Sequence, residues 1–259
     1  MSTIASQSWF MTARLLRGTV REPLFLIIGL VQPAIWLLIF GQLFYRVTDL
    51  QGFGDGRPYL DYLTPGVVVM MALTRGAWSG GNVLEELDHG VLDRFLVSPV
   101  SRAALIAGHL CQQAITIMAQ AVLVLGLALA MGARFAGGPV GALVLLLAAI
   151  LMVLAVGSLS MSFALVIRRS QSLTAVIQFV LLPLVFLSSA FMDQSLAAGW
   201  IRTIARFNPI DWAVLAGRSA LAEHPDWQLI GTRLLWLAVL AALCALVAVR
   251  SFRSYQRSL

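Results

Sequence analysis

The sequence predicts an all-α integral membrane protein with six transmembrane helices, on three observations. Of its 259 residues, 59% are hydrophobic and only 12% charged, against about 25% charged in a soluble domain. The apolar residues form uncharged runs long enough to cross a bilayer, which takes about 20 residues in a helix. Arginines gather at the edges of these runs, as they do on the cytoplasmic side of membrane proteins.

The whole chain, 1–259, reads as a single six-span domain. Residues 4–21 come first, with Arg14, Arg17 and Arg21 on one face and Trp9, Phe10, Ala13, Leu16 and Val20 as apolar contacts. This pattern predicts a helix lying in the membrane interface. The first basic residue is at position 14, and the apolar core after it is long enough to span, which argues against a cleaved signal peptide. The first span covers 24–44 with Pro33 near its middle, and a Gly- and Asp-rich loop follows over 46–61. Pro65 and Gly66 stand in the first turn of the second span, 63–84. The third span covers 103–131, and a short turn over 132–139 leads to the fourth, 140–167, closed by Arg168 and Arg169. The fifth covers 173–191 and contains Pro183. Residues 192–228 are too polar to cross, yet Trp200, Ile204, Phe207, Trp212 and Trp227 predict short helices dipping into the outer headgroup layer. The sixth span covers 229–249, and Arg250, Arg253 and Arg257 follow it.

Between the second and third spans lies EELDHGVLDRFLVSPVSR, residues 85–102, the densest charge between any two apolar runs. Leu84, Leu87, Val91, Leu92, Phe95 and Leu96 recur at helical spacing, which predicts an amphipathic helix over 85–98. Glu85, Glu86 and Asp93 project from its other side, Asp88 and Arg94 lie near the margins, and Pro99 ends it. Read alone, the stretch is either a solvated loop or a short helix that touches something at the membrane surface.

Six spans place both termini on one side. Ten arginines fall there, against seven on the other, where seven acids offset them. The positive-inside rule then puts both termini and the 85–98 helix in the cytoplasm. All 18 basic residues are arginine, so the chain has no lysine for a Walker A loop and no Schiff-base chemistry. Cys111 and Cys244 fall inside spans, and His89, His109 and His224 have no ligand spacing, so neither a disulfide framework nor a metal site is expected. The net charge of +6 suits arginine-rich membrane edges and does not argue for nucleic acid.

Arg75 falls near the centre of the second span, where an arginine costs at least about 2.5–3.5 kcal/mol unless water or a partner receives it. It either lines a path for an anionic or amphiphilic substrate or bonds to carbonyls and glutamines of a neighbouring helix. In the third span, His109, Gln113, Thr116 and Gln120 share one face, which should turn away from lipid as helix–helix glue or as a pathway lining. Gln178 in the fifth span joins Arg75, His109, Gln113 and Gln120 as a candidate for a pathway or a dimer interface. Gly76 and Gly80, and the run of Gly157, Ser158, Ser160 and Ser162, permit close backbone approach. No intramembrane acid relay, inverted repeat or catalytic constellation is discernible, so the chain carries neither an energy source nor a reaction of its own.

Three motifs then carry a resemblance: Pro65-Gly66, the run GVLDRFLVSPVSR from Gly90 to Arg102, and Asn208-Pro209 with Arg218 nine residues after the proline. With the order of spans, these residues make the chain resemble the permease subunits of ABC-2-type exporters, most closely the bacterial daunorubicin-resistance type. The resemblance covers nearly the whole chain. It departs from the family pattern at Leu87, where a basic residue commonly stands between two acids, and at Trp212, where a small polar or basic residue is usual. The resemblance implies that the 85–98 helix is a coupling helix seated in a separate ATPase subunit, through Glu85, Glu86, Asp88, Gly90, Leu92, Asp93, Arg94, Phe95 and Pro99. It implies the N-terminal helix packed beside it and a second, less close contact at Arg168 and Arg169. It further implies two permease chains, identical or homologous, with substrate passing between them. ATP and Mg would sit on the partner ATPase, with no cofactor in this chain, and the complex would lie in a bacterial inner membrane. The cargo would be a hydrophobic or amphiphilic compound such as a drug, an antibiotic or a lipid. Export of a lipid-linked glycan is the alternative within the class; an autonomous carrier or channel, and a membrane enzyme, are the alternatives outside it.

Overall fold

The computed structural model describes residues 4–21, 23–44, 58–89, 102–190 and 199–257. Those residues fold into nine helices and no strand: α1 Ile4–Arg21, α2 Pro23–Leu43, α3 Tyr59–Asp88, α4 Arg102–Ala130, α5 Gly138–Ile167, α6 Ser170–Phe186, α7 Gly199–Ala205, α8 Pro209–Leu221 and α9 Trp227–Arg257. By length and composition, α4, α5 and α9 are long and apolar enough to cross a membrane; Ile27–Leu43 of α2 and all of α6 are shorter apolar helices.

α3 and α5 form the central pair, and their contact follows from small residues. Gly76 faces the backbone of Gly157, and Gly80 faces Ser160. The Ser160 hydroxyl accepts from the Gly80 amide at 3.0 Å and donates to the Ala77 carbonyl. The Ser79 hydroxyl donates to the carbonyls of Gly76 and Gly157 at 2.7 and 3.1 Å. Small side chains let the two backbones approach, and serines satisfy carbonyls that neither lipid nor leucine could. The main core, built from residues such as Leu63, Val68, Leu73, Leu145 and Met152, lies along this seam.

Two opposite ends emerge. At one, Met11, Val83, Leu105, Met161, Leu165 and Phe252 share a cluster, which gathers α1, the end of α3, the start of α4 and the ends of α5 and α9. At the other, α8 packs with the start of α3 and α9 and with α5.

α3 corrects the expected boundary after the second span. It runs unbroken through Glu85, Glu86, Leu87 and Asp88, so the first residues of the charged stretch prolong that span's helix and do not begin a new one. Charges end the apolar run but do not break a helix, and Glu is a good helix former. Gly90, Leu92, Asp93, Arg94, Phe95 and Pro99 lie outside the described residues. α6 stops at Phe186, five residues short of the expected end of the fifth span.

α8 also differs from the expected headgroup helix. Ile210, Ala213, Val214 and Leu221 belong to the main core, while Trp200 and Ile204 of α7 stay exposed. Asn208 explains the entry: its side-chain oxygen caps the helix by accepting from the Ile210 amide at 3.0 Å, with Pro209 at the first helical position. Its amide nitrogen donates to the Leu184 carbonyl at 2.7 Å, one of the orphan carbonyls at the end of α6. The Ser189 amide donates to Asp211 at 3.2 Å. Arg218 donates from Nε to the Tyr62 carbonyl at 3.0 Å and from Nη2 to the Ala190 carbonyl at 2.9 Å, with its guanidinium over the Tyr62 ring.

Candidate functional site

Two features lie toward the Met11–Phe252 end of the bundle. The first is a three-helix clamp on Glu86. Arg14 of α1 donates to Glu86 Oε1 at 2.7 Å, and His109 Nε2 lies 3.2 Å from Oε2. A carboxylate only accepts, so His109 carries its hydrogen on Nε2 in this contact. α1 is held alongside by tight packing of Met11 on Gly108 and by Gln112, which donates to the Thr19 hydroxyl at 3.0 Å. The helix therefore buries Met11 and Thr12, while Trp9, Phe10 and Val20 remain exposed. Of the expected apolar contacts, Trp9, Phe10 and Val20 are thus exposed and Ala13 and Leu16 half-buried, while Met11 makes the buried contact.

Burial works against ionisation of Glu86, but the bonds and charges of His109 and Arg14 outweigh it and hold the carboxyl below the ordinary glutamate value. A depressed folded-state value stabilises above the unfolded value, about 4.3, and the stabilisation is lost as pH falls through the lower folded value. Arg14 is 41% exposed, so solvent screens its share. Glu86→Gln should therefore lower stability by about 1 kcal/mol at neutral pH, and the difference from wild type should shrink as pH falls below the unfolded value of about 4.3 and vanish below the depressed folded value. Thermal unfolding of both proteins across pH checks this.

The second feature is a cavity of about 560 Å³ between α2, α3, α4 and α6. Arg75 lines it, with Gln32, Asn82, Gln112, Gln113 and Gln120 as polar neighbours and Trp36, Met70, Met71 and Leu173 as apolar ones. No carboxylate lines it among the described residues. Arg75 Nε and Gln113 Oε1 are both buried, and neither has a hydrogen-bond partner among those residues. Gln120 reaches Gly29 of α2, where no side chain intervenes.

The structure thus gathers Arg75, Gln113 and Gln120 but separates His109, which joins Glu86 instead. Gln178 is exposed on α6, outside the cavity lining. Arg168 closes α5 in a left-handed conformation, with φ of 53°, and both Arg168 and Arg169 are exposed. Leu84, Ala164 and Leu173 pack together, which brings this arginine turn to the same end as Glu85 and Asp88. Sequence reasoning passed over Gln32, Asn82 and Gln112. Gln112 had a legible signal, since it stands three residues after His109 and four before Thr116 on the neighbouring strip of the same helix.

The chain matches the ABC-2 type transporter family model over residues 6–222. It is 28% identical to the daunorubicin resistance ABC transporter permease protein DrrB1 of Streptomyces coeruleorubidus, over 90% of this chain and 80% of that protein. It is 23% identical to a probable doxorubicin resistance ABC transporter permease protein, DrrC of Mycobacterium tuberculosis, over 96% and 88%. A putative transport permease, ycf38 of Pyropia yezoensis, is 27% identical over 83% and 73%. With its apolar helices and a family match across most of its length, the chain is a multi-pass membrane protein and a member of the ABC-2 type transporter family.

Proposed function

We propose that this chain is the membrane-spanning permease subunit of an ATP-driven exporter of a hydrophobic or amphiphilic compound, working with a separate ATPase subunit that binds ATP and Mg. The family match carries the reading, and relatives named as drug-resistance permeases support export. In this reading α2, α3, α4, α5, α6 and α9 make six crossings of a bacterial inner membrane, with both termini in the cytoplasm. Met11 and Phe252, near opposite ends of the chain, share one cluster with the end of α3, which supports that topology. Reporter fusions at Leu259 and near Gly54 should report opposite sides; identical signals would overturn it.

Residues 85–98 then couple the ATPase stroke to the spans. Because Glu85–Asp88 continue α3, a push on this stretch would act directly on the helix that carries Arg75. The Glu86 clamp would pass it to α1 and α4. Two such permeases, identical or homologous, would pair, and Arg168 and Arg169 would form the second, less close cytoplasmic contact. Phe95 is the largest apolar group of the stretch; burying such a side chain is worth about 1.5–3 kcal/mol, against about 0–1 for a surface ion pair. Phe95→Ala should abolish ATPase capture and transport while the permease still inserts, and Glu86→Gln should do less. Pull-down of the ATPase, ligand-stimulated ATP hydrolysis and transport measure this, and intact binding and transport in Phe95→Ala would refute the coupling role.

A further inference from the structure

α1 has three distinct faces along its length. Met11 and Thr12 are buried and Leu15 and Thr19 half-buried against the bundle, with Met11 on Gly108 and the Thr19 hydroxyl bonded by Gln112. Trp9, Ala13, Leu16 and Val20 recur at steps of four, three and four residues and form a second, apolar stripe. Phe10, Arg14, Arg17 and Arg21 recur at the same steps, one residue on, and all four are exposed. Arg14 holds Glu86, but neither Arg17 nor Arg21 makes a hydrogen bond or ion pair with any described residue. α1 contains no acid to neutralise them, and Glu22, which follows it, lies outside the described residues. Glu85 and Glu86 border a space beside Leu15 and Thr19 that Arg17 and Arg21 do not line. Three residues after Arg21 begins the exposed apolar surface of α2, with Leu24, Ile27, Ile28 and Val31. Two unneutralised guanidinium groups, one helical turn apart, therefore stand where the lipid-facing surface of the chain starts.

We propose that Arg17 and Arg21 hold the headgroup of an anionic phospholipid, with Trp9, Leu16 and Val20 seated among the acyl chains. Guanidinium groups meet phosphate oxygens through paired hydrogen bonds, and each basic residue beside an anionic membrane surface favours binding about fivefold. The apolar stripe alone would suit any bilayer; the arginine stripe next to it adds selection by charge. A zwitterionic headgroup brings a cation along with its phosphate and loses that preference. A protein surface is the rival occupant, but the apolar stripe beside the arginines and the exposed face of α2 that follows are what a bilayer covers. Arg14 lies on the same stripe, so a lipid that fixes the stripe also steadies the contact of α1 with Glu86. The proposed topology puts this lipid in the cytoplasmic leaflet, and the inference rests on that reading for the leaflet alone.

The test uses the full chain in phosphatidylcholine nanodiscs that contain a minority of phosphatidylglycerol of matched chains, with the lipids retained on the protein counted by native mass spectrometry. Phosphatidylglycerol should be enriched at least about tenfold over its share of the bilayer. Arg17→Gln should reduce the enrichment about fivefold, and Arg17→Gln with Arg21→Gln should bring it to about twofold or less. Both side chains are exposed, so folding should not change, and thermal unfolding checks it; if the double variant is unfolded, the single variants decide. Arg202→Gln with Arg206→Gln removes the same charge from exposed positions around α7 and should leave the enrichment as in wild type. An equal loss in the two double variants would reduce the effect to net charge and overturn the proposal, as would enrichment that persists without Arg17 and Arg21. Pull-down of the ATPase with the same variants examines the rival occupant: enrichment kept with capture lost would assign the stripe to that subunit and overturn the lipid site. Retention requires neither ATPase nor transport, so failure of the exporter reading would leave a positive result standing.

Discussion

Gly80→Ala should destabilise the permease by about 3 kcal/mol or more, enough to remove most folded protein from the membrane. A methyl group there would overlap the carbonyl and hydroxyl of Ser160, so backbone must move and not merely a side-chain tip. The same shift would disturb the bond from the Gly80 amide to Ser160 and the one from Ser160 to Ala77. Since α3 carries both Arg75 and Glu86, opening its seam with α5 would displace the cavity wall and the clamp together. Gly126→Ala is the control: nothing lies within 4 Å of its added carbon, so better helix propensity should leave stability unchanged or raised by up to about 1 kcal/mol. Folded yield and thermal unfolding in detergent compare the two, and equal behaviour would remove the seam from the account.

Arg218→Met should cost about 3–5 kcal/mol. Two hydrogen bonds from a charged group, each worth about 1.5–3 kcal/mol, are lost, and the Tyr62 and Ala190 carbonyls lose their donors. Methionine replaces much of the stem volume, so the loss reports the guanidinium itself. Arg218→Lys keeps the charge but not the planar fork that serves two carbonyls, and should fall between wild type and Arg218→Met. The expected consequence is release of α8 from the start of α3 and the end of α6, seen as faster hydrogen exchange in α8. A change below about 0.5 kcal/mol would show that Asn208 and the apolar face of α8 hold it unaided.

Much of the architecture was legible because membrane helices announce themselves by composition. α1 has the predicted bounds, and α2, α4 and α5 begin and end within two residues of the predicted limits. The closeness of Gly76 and Gly80 to Gly157 and Ser160 was legible as capacity, since small residues allow approach, though not as a pairing. Where prediction stopped short, polarity was the cause. Asp211 and Arg218 make 192–228 look like surface, but both spend their polar atoms on backbone groups of neighbouring segments, and so let α8 enter the core.

By itself, the sequence determined a helical membrane protein, a cation in the middle of the second span, and a charged stretch after it. Only the tertiary structure decided what those charges meet. Arg14 and Glu86 are 72 residues apart and His109 a further 23, and no helical periodicity relates positions on different helices. The sequence could require that Arg75 escape lipid, because an arginine in hydrocarbon is costly. It could not say that the escape is a cavity, since that depends on how four helices are spaced. Periodicity assigns each residue to a face of its own helix; which faces meet is set by the packing of all the others.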